Sequence, residues 1–200
     1  MALRAGAAAV GFVLAPSRRQ VSVELARELA SQAGGAVRVA VLVNPSPAQV
    51  EECLEFCEFV QLHGDESPEF CQGYAPRVWK AFRLESRAQL EQVGAYSGKV
   101  AAFLLDAAQP GAGAPFAWEW LAGWSRPGPI WLAGGLTADN VAQAVNLVRP
   151  DGVDVSTGVE ASPGRKDAEL IRRFMARALS GSSRANLPES SPTHRPGASP

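Results

Sequence analysis

Along this chain, short apolar runs alternate with stretches in which apolar side chains return every third or fourth position. A strand covered on both faces needs a continuous apolar run, and a helix lying over it needs a one-sided stripe. The alternation therefore predicts repeated strand–helix units and a parallel sheet buried on both sides. The candidate strands are residues 9–14, 38–44, 59–64, 78–83, 100–107, 129–135 and 152–158. Between them, Val50, Cys53, Leu54 and Cys57 share one helical face, as do Val141, Ala144, Val145 and Val148; Leu170, Ile171, Phe174 and Leu179 form the inward side of a final helix. Ser46-Pro47, Ser67-Pro68 and Thr137 stand where helices begin, offering a side-chain oxygen to unpaired amides, with proline where no amide is needed.

The ends of these strands carry the residues with chemistry. Ser17 and Arg19, Asn44, His63 and Asp65, Arg83, Asp106, Gly134 and Gly135, and Ser156 and Gly158 follow successive strands. An open doubly wound sheet gathers such residues at one crevice, whereas a (β/α)8 TIM barrel gathers them wherever a strand meets its following helix. The spread favours the barrel, over residues 1–180. Residues 181–200 are rich in serine, proline and glycine with little to bury, so they are read as a disordered tail, and His194 within it is given no functional weight.

Composition narrows the chemistry. The chain has 200 residues, 46% of them hydrophobic, enough for one cored domain. A formal net charge of -1 gives no field that would recruit nucleic acid or an acidic membrane. The apolar opening stretch, residues 2–15, is too short for a membrane span and contains Arg4. With three cysteines and no recognisable secretory leader, the expected setting is the reducing cytoplasm. A small-molecule ligand is the expected partner, and oligomeric state is left open.

Two successive loops, Gly134-Gly135 and Ser156-Thr157-Gly158, combine bare backbone, hydroxyls and helix starts, and the loops after the last two strands of a barrel are the usual phosphate site. Either loop alone could be no more than a tight turn; together they predict a phosphate monoester ligand. Asp106 closes an apolar strand and is either a general acid or base or a carboxylate that orders the next loop. Arg18 and Arg19 are either a solvated pair or a fork for an anion. His63 is read first as a hydrogen-bonded structural residue. Cys53 and Cys57 are read as packing, since no third metal ligand lies nearby.

Taken in order, "GFVLAPSRRQVS", "VLVNPS", "VQLHGDE", "WKAFR", "LLDA", "PGAGAPFAW", "LAGGLTADNV" and "GVDVSTGVEASPGRKD" resemble the phosphoribosylanthranilate isomerase family from about Ala2 to Leu179. The resemblance implies a (β/α)8 barrel of tryptophan biosynthesis, an aldose–ketose isomerase that performs an Amadori rearrangement of N-(5-phosphoribosyl)anthranilate without metal or organic cofactor. It implies that Asp106 is the general acid at the furanose ring oxygen, and that Arg19 pairs with the anthranilate carboxylate. The phosphate would rest on Gly134, Gly135, Ser156 and Gly158, with the loop of Gly111 and Gly113 closing nearby. That loop departs from the family pattern, because Ala112 replaces a hydroxyl residue and Ala117 an aspartate. Family members also open with a strand whose cysteine is the general base. Here residues 1–8 read as the end of a helix, so the expectation is a barrel with the first strand missing and seven strands visible. Cys53, Cys57 and Cys71 fall on predicted outer helices and cannot replace that base. The alternative is therefore an impaired barrel that binds the phosphorylated ligand without turnover. A different phosphate-binding barrel enzyme would need metal ligands or a lysine array, for which only Lys80 is suitably placed.

Overall fold

The computed structural model describes residues 1–107, 118–121 and 123–184. Seven parallel strands lie in sequence order: β1 (Ala9–Val13), β2 (Val37–Leu42), β3 (Phe59–Leu62), β4 (Val78–Leu84), β5 (Ala102–Ala107), β6 (Ile130–Leu132) and β7 (Gly152–Val153). The crossovers contain α1 (Val23–Ser31), α2 (Pro47–Leu54), α3 (Pro68–Gln72), α4 (Leu90–Gly94) and α5 (Val141–Val148), and α6 (Ala168–Arg184) closes the described chain. This is a curled part of a TIM barrel. Among the described residues, β1 and β7 are its two edges and no ladder joins them.

Strand periodicity sorts the side chains into two layers. Ala40, Leu42, Val60, Leu62 and Val78 meet Ala26, Val50 and Cys53 of the helices, while Phe103, Leu105, Ile130 and Leu132 meet Val141, Ala144, Ile171 and Phe174. The alternate residues face inward. Val39, Trp79 and Ala102 form one inner cluster and Ala81, Leu104 and Ala133 another, with Trp131 packed on both and its ring 4.6 Å from that of Trp79.

Local sequence sets the helix starts. Ser22, Ser46 and Ser67 accept hydrogen bonds from the amides three residues ahead, and Gln49 completes a reciprocal cap with Ser46. Thr137 does not cap α5 directly: its amide is held by Asn140, its carbonyl accepts from Asn140 and Val141, and one turn intervenes before the helix.

Three expectations change. The strand predicted over residues 152–158 stops at Val153, because the chain turns at Thr157–Val159 and then forms a small antiparallel hairpin, β8 (Glu160–Ser162) with β9 (Arg165–Lys166). Leu179, expected to face inward, is 63% exposed. Its helix does not end at residue 179 or 180 but continues to Arg184, with Gly181 seated against Ala142 and Val145 of α5, where the absent side chain permits close contact. Residues 185–200, which hold the rest of the predicted tail, lie outside the described residues.

Candidate active site

Because the strands are parallel, all their carboxyl ends open at one mouth, and residue parity decides which side chains enter it. Arg83 pairs with Asp106 across β4 and β5, in the same inward row as Ala81 and Leu104. His63 has the parity of Gln61, which pairs with inward Trp79. Asp154 has the parity of Gly152, which pairs with inward Trp131. The parity therefore brings Asp106, His63, Arg83 and Asp154 to one mouth.

The side chains of Asp106 and His63 are each 14% exposed, with His63 Nε2 3.6 Å from Asp106 Oδ2. Burial pushes the His63 pKa down to about 4, helped by the positive charges of Arg83 and Lys80 and opposed by Glu66. The imidazole is neutral at pH 7, so this is proximity rather than an ion pair. His63 Nε2 is buried and makes no hydrogen bond among the described residues. Asp154 was not singled out in the sequence. It has solvent at its surface but is ringed by protein in the mouth; desolvation raises its carboxyl pKa, with Lys166 opposing. Its signal was present in "VDVS", where apolar neighbours leave one carboxylate facing the other way.

The loops after β6 and β7 dock on each other. Gly134 and Gly135 have φ of 74° and 67°, a left-handed pair that favours glycine. Asn140 Nδ2 donates to the Gly135 carbonyl at 2.9 Å. A side chain at Gly158 would run into the Leu136 carbonyl oxygen, so glycine is needed there for loop-to-loop approach. Beside it, Ser156 Oγ accepts from Lys166 Nζ at 3.1 Å. Arg19 reaches this group from the loop after β1: Nε and Nη2 each donate to Glu160 at 2.7 Å, and Nη2 donates to Thr157 Oγ1 at 3.1 Å. Five of the predicted ligand positions, Arg19, Gly134, Gly135, Ser156 and Gly158, thus lie on loops at one end of the sheet. Gly111 and Gly113 lie outside the described residues.

Lys80 is not in the mouth. It shares parity with Val78 and Phe82, so it points toward the helices, and its ammonium is 3.1 Å from Glu66 Oε2 with both side chains nearly fully buried. It also donates to the carbonyls of Leu62, Gly64 and Ala81. Glu66 accepts from the amides of Asn44 and Gly64. Every charge here is consumed in tying the β2 and β3 loops to β4, which removes the lysine that a different barrel chemistry would have required.

The cysteines lie in the helix–sheet layer, Cys53 on α2, Cys71 on α3 and Cys57 just before β3. Burial pushes their thiols up to about 11, 11 and 12 respectively, so none is a thiolate at neutral pH. Among the described residues, no group of three His, Cys, Asp or Glu side chains could hold a metal ion, and no helix is long and apolar enough to cross a membrane.

Comparison with known proteins agrees with this geometry. Residues 1–177 match the family model described as N-(5'phosphoribosyl)anthranilate (PRA) isomerase. The chain is 44% identical to N-(5'-phosphoribosyl)anthranilate isomerase of Pelobacter propionicus, covering 88% of this chain and 87% of that one. It is 46% identical to the Geobacter metallireducens enzyme of the same name, covering 89% and 91%. Among solved structures, phosphoribosyl anthranilate isomerase from Thermotoga maritima superposes with a TM-score of 0.83 at 35% identity, covering 90% and 91%. A structure of phosphoribosyl anthranilate isomerase in complex with reduced 1-(o-carboxyphenylamino)-1-deoxyribulose 5-phosphate gives a TM-score of 0.81, also at 35% identity, covering 90% and 91%. Matched along nearly its whole described length in both sequence and fold, the chain belongs to the N-(5'-phosphoribosyl)anthranilate isomerase family.

Proposed function

We propose that this protein converts N-(5-phosphoribosyl)anthranilate to 1-(2-carboxyphenylamino)-1-deoxyribulose 5-phosphate, with Asp106 as general acid. The observation that carries the assignment is the placement of Asp106 on the inward row at the carboxyl end of β5, within the same mouth as the paired glycine loops. Asp106 transfers a proton to the furanose ring oxygen as the C1′–O bond breaks, leaving a protonated Schiff base between C1′ and the anthranilate nitrogen. The C2′ proton passes to solvent water, giving an enolamine, which becomes the ketose as C1′ gains a proton and the C2′ hydroxyl loses one. The family resemblance assigns that second proton to a cysteine at a strand's carboxyl end. Cys53, Cys57 and Cys71 do not occupy such a position and hold their protons too tightly to act there.

The rest of the mouth binds the ends of the substrate. Gly134, Gly135, Ser156 and Gly158 cradle the phosphate with backbone amides and a hydroxyl, and Arg19 pairs with the anthranilate carboxylate. His63, neutral and buried beside Asp106, supplies an uncharged wall where the proton moves. No metal or organic cofactor is required for this chemistry, and the expected location is the cytoplasm. The test is product formation by the 200-residue chain supplied with freshly generated substrate. Conversion that collapses in Gly134→Val or Gly135→Val through a raised KM supports the phosphate assignment; unchanged KM in both refutes it.

A further inference from the structure

The ion cluster joining the β1 and β7 loops has an uneven exposure. Glu160 keeps only 3% of its side chain exposed, whereas Arg19 and Lys166 keep 28% and 38%. An anion approaching this cluster meets two cations, and the carboxylate lies beneath them. Arg19 and Lys166 set two positive charges against that of Glu160, and Asp154 also interacts with Lys166, so the cation left to attract an anion is Arg19. Glu160 grips Arg19 through Nε and Nη2 in the bidentate arrangement, and Nη1 makes no hydrogen bond among the described residues. Lys166 Nζ donates at 2.9 Å to Glu160 Oε1, the same oxygen that accepts from Arg19 Nε, and to the Ser156 carbonyl, also at 2.9 Å. One buried carboxylate therefore joins the arginine proposed for the substrate carboxylate to the loop proposed for its phosphate, although Arg19 and Glu160 are 141 residues apart in sequence.

We infer that Glu160 is a positioning residue for substrate-carboxylate recognition: it immobilises the guanidinium of Arg19 by one edge, leaves Nη1 for the incoming carboxylate, and sets the separation between the two anion subsites. This rests on the proposed role of Arg19. A flexible arginine would have to give up side-chain freedom at each binding event, whereas one already held by Glu160 does not. Glu160 does not touch substrate, and its effect passes through Arg19.

The test compares two ligands by calorimetry: reduced 1-(o-carboxyphenylamino)-1-deoxyribulose 5-phosphate and the same compound lacking the carboxylate. The wild-type chain is expected to bind the carboxylated ligand roughly tenfold or more tightly than the other, as suits a charge-assisted contact. Arg19→Ala should erase that preference. Glu160→Gln and Glu160→Ala should shrink it severalfold while leaving affinity for the ligand without the carboxylate near the wild-type value. Glutamine keeps the size of the side chain, so this variant preserves the comparison if alanine unfolds the loop. If both Glu160 variants keep the full preference, or weaken both ligands equally as a general loop prop would, the inference is overturned. If Arg19→Ala keeps the preference, the role given to Arg19 is wrong and the inference falls with it. Failure of the wild-type chain to bind either ligand would instead overturn the proposed function.

Discussion

Two ion clusters brace opposite sides of the mouth, and they use their charges differently. On the β2–β4 side, Glu66 and Lys80 are almost wholly buried, and their oxygens and protons are taken up by each other and by backbone groups of three successive loops and strands. On the β7–β1 side, the cations of the Arg19–Glu160–Lys166 cluster stay partly exposed. The first arrangement holds the scaffold and has nothing left to offer a ligand. The second holds loops together and still presents charge. Proximity to the mouth is therefore a poor guide to function; unspent donors and net charge are better ones.

The contrast is broken most strongly at Lys80. Removing one partner of a buried pair strands the other charge, so Lys80→Ala or Glu66→Ala should cost about 3–5 kcal/mol of unfolding free energy in denaturant titration. Arg19→Ala removes a partly exposed partner and should cost far less stability while weakening ligand binding; the reverse ranking would undo the distinction between the two clusters. Next in size is Gly158→Ala. Its new methyl meets the Leu136 backbone, and the forced separation of the two glycine loops should cost about 1–3 kcal/mol, read as a lowered denaturation midpoint together with a raised KM.

The most gradual effect is a pH slope. His63 titrates near 4 when folded and nearer its ordinary value when unfolded, so the unfolded chain binds the extra proton between these values. Stability should fall as pH drops through roughly 6.5 to 4, by at most about 1.4 kcal/mol per pH unit from this group. His63→Asn should flatten that window. Glu160 and Glu58, held at about 2 mainly by hydrogen bonds from Arg19 and Arg38, lose their contribution lower down, as pH falls from their ordinary carboxylate range toward 2. A slope below pH 6.5 that is unchanged in His63→Asn would remove the histidine from this account.

Much of this was legible in the sequence because sheet periodicity is local. The apolar runs placed all seven strands, and parity within "AFLLDA" alone puts Asp106 on the row opposite Phe103 and Leu105. The same reasoning applied to "VWKAFR" turns Lys80 toward the helices with Val78 and Phe82, although its position within a strand alone had made it look suitably placed. Glu160 was not legible as the partner of Arg19 and Lys166. Their meeting depends on the curl of the whole sheet bringing the loops after its first and last strands together, and no local pattern encodes that. Leu179 was misplaced because it follows Phe174 by five residues, about 140° around a helix, while the packed face continues through Ala178 and Gly181.

The central claim is that Asp106 is the acid of the mouth, and the direct measurement is kcat of Asp106→Asn beside the wild-type chain at matched folding, checked by circular dichroism. The amide keeps the shape and cannot give up the proton, so kcat should fall about 10²–10⁴-fold, with KM changed little. A variant that folds normally and keeps wild-type kcat would contradict the claim and leave Asp106 as a carboxylate that merely orders its loop.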